Sequence, residues 1–250
     1  MKLKEKVAIV TGGGRDIGKA VSVKLAAEGA KVVINYSKSE SNAIETLNEI
    51  KAAGGEAILV QGDVTRQTDV DRIIAETIKK YGEEIHILVN NAGGLVARKT
   101  LDEMDVEFFT HVLNLNIIST FMVTKAVVPH MKEGASIINF ASQAGRDGGG
   151  AGSTAYATSK GGLMTFTRSL AKELGPKNIR VNAVCPGMIA TSFHDIFTKN
   201  EVRANVAAAT PLRRQGNAVE VANVVACLAS SETSFVTGAN IDINGGHAFS

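Results

Sequence analysis

Aromatic residues make up only 5% of the chain, tryptophan is absent, and basic residues form no cluster. With 27 basic against 25 acidic residues the formal charge is +2, so the positive stripe and stacking side chains that nucleic-acid binding requires are missing. Nucleic acid is therefore not an expected partner. Cysteine is almost as scarce. Cys185 and Cys227 are the only two and lack Cys-x-x-Cys spacing, which argues against a disulfide framework and a zinc site. His86, His111, His130, His194 and His247 stand singly, so they read as structural or solvent-facing and no metal is expected. Met1–Lys6 lacks a signal-peptide apolar core, and no apolar run reads as long enough to span a bilayer. A soluble cytoplasmic protein with no membrane partner is expected. No low-complexity linker or repeat divides the 250 residues, so residues 1–250 read as one domain with a large core.

What is present is a rhythm of apolar strand, polar turn and amphipathic helix, which implies a parallel sheet. Strands are expected at Val7 to Val10, Lys31 to Asn35, Ala57 to Gln61, Ile85 to Val89, Ser136 to Phe140, Arg180 to Val184 and Asn240 to Ile243. Helices are expected at Ser39 to Ala53, Gln67 to Lys80, Asp105 to His130 with a break near Asn116, Thr154 to Leu174, and Ala218 to Ala229. Right-handed crossovers then give an α/β doubly wound fold, a seven-stranded parallel sheet with helices on both faces. Ligands of such sheets bind outside the carboxyl ends of the strands.

Chemistry concentrates at those ends. Tyr156 and Lys160, four residues apart, share one helix face. A cation beside a phenol lowers its pKa, which would bring Tyr156 towards neutrality and suit proton exchange with a carbonyl or alcohol. Tyr-x-x-x-Lys also occurs in ordinary amphipathic helices. The first strand runs into Thr11-Gly12-Gly13-Gly14-Arg15-Asp16-Ile17-Gly18, and a helix follows. Glycines there allow a tight turn and close approach of a pyrophosphate to a helix N-terminus. A plain strand-helix turn also favours glycine, and the literal Gly-x-Gly-x-x-Gly string is absent.

Taken with Asn90-Asn91-Ala92-Gly93, Asn116, Ser142 and Pro186-Gly187 through Thr191, these motifs resemble the short-chain dehydrogenase/reductase family over essentially the whole chain. The resemblance implies a Rossmann fold, a homotetramer and a catalytic set of Asn116, Ser142, Tyr156 and Lys160. In it Tyr156 donates the proton, Lys160 holds the nicotinamide ribose and lowers the Tyr156 pKa, Ser142 donates to the substrate oxygen, and Asn116 positions a water. The implied cofactor contacts are Gly12, Gly14, Arg15, Ile17 and Gly18 in the turn, with Asn35 and Ser37 near the adenosine ribose. Asp63 and Val64 would meet adenine, Asn90, Ala92 and Gly93 its ribose, and Pro186, Gly187, Ile189 and Thr191 the nicotinamide side, with Tyr156 and Lys160 completing the set.

Charge bears on the cofactor. An NAD site places Asp or Glu about 20 residues after the glycine turn, on the ribose 2′-hydroxyl. Here Asn35-Tyr36-Ser37-Lys38 supplies donors and a cation, and Arg15 can face a 2′-phosphate, so NADP (NADPH) is expected over NAD. Asp16 departs from the family, which has glycine there; the carboxylate can cap α-helical amides and pair with Arg15, or repel the cofactor phosphates. The substrate is expected to be a small-molecule carbonyl or alcohol. The best-matching subgroup is the 3-oxoacyl-acyl-carrier-protein reductases, with sugar, polyol or small-ketone dehydrogenases as the alternative and a non-catalytic dinucleotide-binding regulator as a reading from another class. Val128-Pro129-His130-Met131-Lys132 lacks an arginine pair, which counts against acyl carrier protein as a partner. Residues 191–207, with Phe193, His194, Ile196 and Phe197, correspond to the family's variable substrate lid.

Overall fold

The computed structural model describes residues 1–249. Seven parallel strands form one sheet: β1 (Val7–Thr11), β2 (Lys31–Tyr36), β3 (Glu56–Gln61), β4 (Ile87–Asn90), β5 (Ser136–Phe140), β6 (Arg180–Pro186) and β7 (Asn240–Ile243). Their order is β3-β2-β1-β4-β5-β6-β7, so the direction of winding reverses between β1 and β4. The crevice at the carboxyl ends of such a switch point is where ligands bind in open α/β sheets.

Strand periodicity builds two cores. Ala8 and Val10, Val32 and Ile34, Ile87 and Val89, and Ile138 and Phe140 face one side. There they meet Val21 and Leu25 of α1 (Asp16–Ala27), Ile50 of α2 (Glu40–Ala52), and Val221 and Val225, which belong to the later helix at Ala218–Ala229. Ile9, Val33, Leu88, Ile137 and Val181, one residue out of phase, face the opposite side. They pack on Val70 and Ile73 of α3 (Gln67–Tyr81) and on helices from the 106–130 and 154–174 segments. Near-continuous apolar strands are what a sheet covered on both faces demands.

The 106–130 segment runs as α4 (Val106–Leu113), a π-helical turn (Asn114–Ile118), α5 (Ser119–Val127) and a 3₁₀ turn (Val128–His130). The break expected near Asn116 is thus a widened turn rather than an interruption. This run also corrects one expectation: with a mean hydropathy of 1.4 over its best window, Val106–His130 is long and apolar enough to cross a bilayer. In the fold its Val112, Val123 and Val127 are buried, and Val123 and Val127 belong to the second core.

The chain continues through α6 (Ala144–Asp147), α7 (Thr154–Leu174), α8 (Ser192–Phe197), α9 (Asn200–Ala209) and α10 (Ala218–Ala229). The α7, α10, β5 and β7 bounds coincide with the sequence expectation. The short helix α6 was not foreseen, because its Ala144-Gly145-Arg146-Asp147 is too brief and glycine-containing to show periodicity. The expected lid resolves into α8 and α9.

Candidate functional site

The glycine turn leaves β1 at Thr11, and Gly12 takes a φ of +61°, a left-handed conformation that glycine adopts without steric cost. A Cβ on Gly18 would lie 2.0 Å from the Gly12 carbonyl oxygen, so only glycine lets the first turn of α1 close on the strand end. Gly14 packs equally tightly on α2, where a Cβ would lie 2.8 Å from that of Ala43. No side chain caps α1, which leaves the first-turn N–H groups, those of Ile17 and Gly18 among them, without a side-chain acceptor.

Two residues outside the expected set fix this turn to β4. The Thr11 hydroxyl donates to the Val89 carbonyl and accepts from the Asn91 and Ala92 N–H groups, while the Asn91 amide donates to the Thr11 and Gly12 carbonyls at 3.0 Å each. The available signal was a polar residue at the end of each of two adjacent parallel strands.

Several residues expected to contact the cofactor also brace the fold. Asn35 is buried; its amide donates to the Val60 and Gly62 carbonyls and its oxygen accepts from the Gly12 N–H at 3.3 Å. The side chain therefore joins β2, β3 and the turn, and the chain reaches the surface beyond Tyr36, at Ser37 and Lys38. Asp63 accepts from the Thr65 N–H and hydroxyl at 2.9 and 2.7 Å, shaping the entry to α3. The Val64 side chain lies in the core, so any contact with a base would come from its backbone. Asn90 is also buried, donating to Asn139 and Thr124 at 2.9 and 3.0 Å, with its own carbonyl oxygen unpartnered. Ala92 packs against the same core.

Tyr156 and Lys160 do lie together on α7, with the ammonium 5.6 Å from the phenol ring centre. Lys160 is 4% exposed and donates to the Phe140 carbonyl at 2.6 Å; among the described residues no carboxylate partners it. Burial brings its pKa down to about 8. The expected depression of the Tyr156 pKa is not found. Burial pushes the phenol up, because the phenolate would be poorly solvated there, with the Ser142 hydroxyl pulling the other way. Tyr156 is accordingly protonated at neutral pH.

Ser142 follows β5, and its hydroxyl accepts from the Ala144 N–H at 3.1 Å. The loop is pressed onto α7, since a Cβ on Gly145 would lie 2.7 Å from the Gly161 nitrogen. Arg146 secures the other side through Asp242 at 2.6 Å and the Asn240 carbonyl at 2.7 Å. Asn116, in the π turn, is fully buried and bonds only to backbone: it accepts from the Gly94 N–H and donates to the Gly94 and Val112 carbonyls. Its side chain has no amide hydrogen left for a water. Gly93 abuts both neighbours, with a Cβ position 2.5 Å from Asn116 Oδ1 and 3.3 Å from Lys160 Nζ.

Beyond β6, the Gly187 N–H bonds the Ile243 carbonyl, and a Cβ there would lie 2.7 Å from that of Asn244. Pro186 accepts from the Gln143 N–H. The Ile189 side chain is 3% exposed within the core, so any contact with the nicotinamide would come from its backbone. Thr191 is the N-cap residue of α8 and donates to the Ile189 carbonyl. Phe193 follows, its ring centre 6.1 Å from that of Tyr156 and 5.1 Å from that of Phe197. His194 is kept neutral, its pKa lowered to about 4 by burial and by the Arg203 and Arg98 charges. Arg98 ties the lid to the glycine-rich loop by donating to the Phe197 and Ala151 carbonyls.

Asp16 and Arg15 hold the opposite end of the lid. The Asp16 carboxylate accepts from the Ser192 N–H at 3.0 Å and the Ser192 hydroxyl at 2.6 Å. Arg15 Nη1 lies 3.5 Å from the same carboxylate and donates to Ser192 Oγ at 3.1 Å. The expected ion pair is present, but Asp16 does not cap its own helix, and Arg15 turns to the lid rather than to β2. A separate cavity of about 200 Å³ beneath α9, lined by Met188, Val206, Leu212 and Gly245 among others, contains none of Asn116, Ser142, Tyr156 or Lys160.

The uncapped α1 amides, the Gly12 conformation and the Gly18 approach fit a dinucleotide pyrophosphate at the switch point. Comparison with known proteins agrees. A family model described as enoyl-(acyl carrier protein) reductase matches residues 12–248. A 3-oxoacyl-[acyl-carrier-protein] reductase of Synechocystis is 40% identical over 248 residues, covering 98% of this chain and 97% of that one. A short-chain dehydrogenase/reductase from Serratia marcescens superposes with a TM-score of 0.94 at 30% identity, over the full length of both chains. A short-chain dehydrogenase from Burkholderia cenocepacia, solved in complex with NADP, gives 0.92 at 32% identity over 99% of each chain. On these matches over nearly its whole length, the chain belongs to the short-chain dehydrogenase/reductase family of nicotinamide-dependent oxidoreductases.

Proposed function

We propose that the protein is an NADP(H)-dependent carbonyl reductase, working in reverse as an alcohol dehydrogenase, with Tyr156 as proton donor. The observation that carries this reading is the buried Tyr156–Lys160 pair on α7, a protonated phenol beside an ammonium that no carboxylate among the described residues neutralises. When bound, the nicotinamide supplies the hydride for the carbonyl carbon. Tyr156 gives its hydroxyl proton to the carbonyl oxygen, and the ammonium of Lys160 stabilises the phenolate left behind. Ser142, free to rotate its O–H while its oxygen accepts from Ala144, donates to the same carbonyl oxygen and steadies its developing charge. Asn116 acts from behind, holding Gly93 and Gly94 against Lys160.

NADP(H) is assigned over NAD(H) because β2 ends in Asn35-Tyr36 and continues with Ser37-Lys38, with no carboxylate at the strand end to repel a 2′-phosphate. Turning Arg15 from Ser192 to that phosphate would add a second cation. For the substrate we assign a 3-oxoacyl thioester, the reading supported by the name of the Synechocystis relative. The segment around Val128–His130 offers no arginine pair, so acyl carrier protein docking is not part of this reading. A small apolar ketone is the second reading, favoured by Phe193 and Phe197 beside Tyr156. A homotetramer is also proposed: β7 is an edge strand, and Phe235 nearby is fully exposed.

The test is oxidation of NADPH and of NADH by the purified protein against an acetoacetyl thioester, diketones, cyclic ketones and keto sugars. Turnover with NADPH and the thioester supports the full reading. A preference for cyclic ketones moves the substrate to the second reading, and NADH bound more tightly than NADPH overturns the cofactor assignment.

A further inference from the structure

We infer that Asp16 is a positioning residue that clamps the lid over the cofactor cleft. It occupies a left-handed conformation, φ +51°, the first residue of α1 directly after the glycine turn. Asp tolerates this region better than most residues yet not as freely as glycine. The strain is offset by a bond pattern spanning 176 residues of sequence: the carboxylate takes both the N–H and the hydroxyl of Ser192, at 3.0 and 2.6 Å. Arg15 completes the clamp by donating to the same hydroxyl oxygen at 3.1 Å. Both the N–H and the hydroxyl of Ser192, the first residue of α8, are thereby held by the cofactor turn.

The anchored residue matters because of its neighbours. Thr191, on one side of Ser192, is the N-cap residue of α8 at the end of the nicotinamide-side segment; Phe193, on the other, stands against Tyr156. One carboxylate therefore sets the position of a cofactor-side residue and a substrate-side residue together. Charge repulsion of the cofactor phosphates by Asp16 is the competing account, and it predicts the opposite sign. Removing the carboxylate would tighten NADPH if repulsion dominates, whereas removing a clamp speeds NADPH release.

The inference rests on the reading of the cleft as an NADP(H) site, so its test has one arm without cofactor. In the cofactor-free protein, tryptic cleavage after Lys199, between α8 and α9, is expected to be about tenfold faster in Asp16→Gly, the loss expected for two charge-assisted bonds at a partly exposed site. In the second arm NADPH fluorescence on dilution should report dissociation faster by about the same factor. Asp16→Asn, which keeps an oxygen for the Ser192 N–H, should fall between, and Ser192→Ala should loosen the lid without touching the glycine turn. The thermal midpoint of Asp16→Gly should stay level or rise, since glycine relieves the left-handed strain; a merely structural Asp16 would lower it. Unchanged cleavage in both Asp16→Gly and Ser192→Ala overturns the clamp, as does tighter NADPH binding by Asp16→Gly. Failure of wild type to bind NADPH would refute the cofactor reading instead, and the cleavage arm would still decide the clamp.

Discussion

Lys160→Met should separate the energetic cost of the buried ammonium from its chemistry. In the unfolded chain the lysine titrates near its usual 10.5, whereas burial holds it at about 8 in the folded protein. At about 1.4 kcal/mol per pKa unit the difference corresponds to about 3 kcal/mol of stability that the charged form removes. The folded pKa is the lower one, so the penalty is fully present below pH 8 and is relieved as pH rises from the folded towards the unfolded value, where the unfolded state holds the extra proton. Between pH 7 and pH 9.5 the wild type should therefore gain about 2 kcal/mol relative to Lys160→Met, which has nothing to titrate there. At pH 7 alone the comparison is blunter, because methionine leaves the Phe140 carbonyl unpartnered, at a cost of about 1–3 kcal/mol. Cys185 beside it, raised to about 11 by burial, stays neutral across the window in both proteins. The assay is urea denaturation of the cofactor-free proteins at both pH values and one protein concentration. Parallel pH profiles would refute the argument, since they would mean the ammonium is solvated or paired in the folded state.

Tyr156→Phe should retain NADPH binding and lose turnover by about 10²–10⁴-fold, the range for a positioned general acid, measured by NADPH oxidation and by fluorescence titration; near-normal turnover would remove Tyr156 from the mechanism. Ser37→Asp places a carboxylate just beyond the end of β2, and it should weaken NADPH by about tenfold while improving NADH, checked as the ratio of the two dissociation constants. An unchanged ratio would mean that the 2′-position lies elsewhere.

The sheet was legible because each buried strand is a short apolar run and each crossover helix carries its own 3.6-residue stripe. β5 and α7 fell at their expected residues for that reason. Direction along the strands was legible too, so residues following strand ends could be assigned to one edge. Where a side chain points was not. Asn35, Asn90 and Ile189 all lie at that edge, yet the first two brace strands from within and the third enters the core. Polar residues in a sequence do not announce whether their partners are ligand or backbone, because buried amides are satisfied internally by groups distant in the chain. The same limit hid the Asp16–Ser192 contact. Asp16 was conspicuous against the family pattern, but a capping role and a repulsive role were both local readings, and the partner is a residue of the lid. The Tyr156–Lys160 spacing placed the two groups correctly on one face but not the direction of the phenol's pKa, since helical spacing says nothing of the burial that raises it.

Asn116 shows how the two kinds of residue can be told apart. Its side chain makes three hydrogen bonds, two to Gly94 and one to Val112, all to backbone. Asn116→Ala would strand those groups in the π turn and its facing loop, and with a residue of zero exposure the cost should be about 2–4 kcal/mol. The loop it releases carries Gly93, whose place against Lys160 leaves no room for a side chain, so drift of that loop should also weaken cofactor binding. Turnover at saturating NADPH should then fall much less than in Tyr156→Phe, because the proton donor and its ammonium remain. A side chain whose task is to hold a reacting water would give the reverse pattern, an unchanged denaturation midpoint with a large loss of kcat. Urea midpoint and kcat measured on the same Asn116→Ala preparation decide between them. The three backbone partners predict that stability moves first.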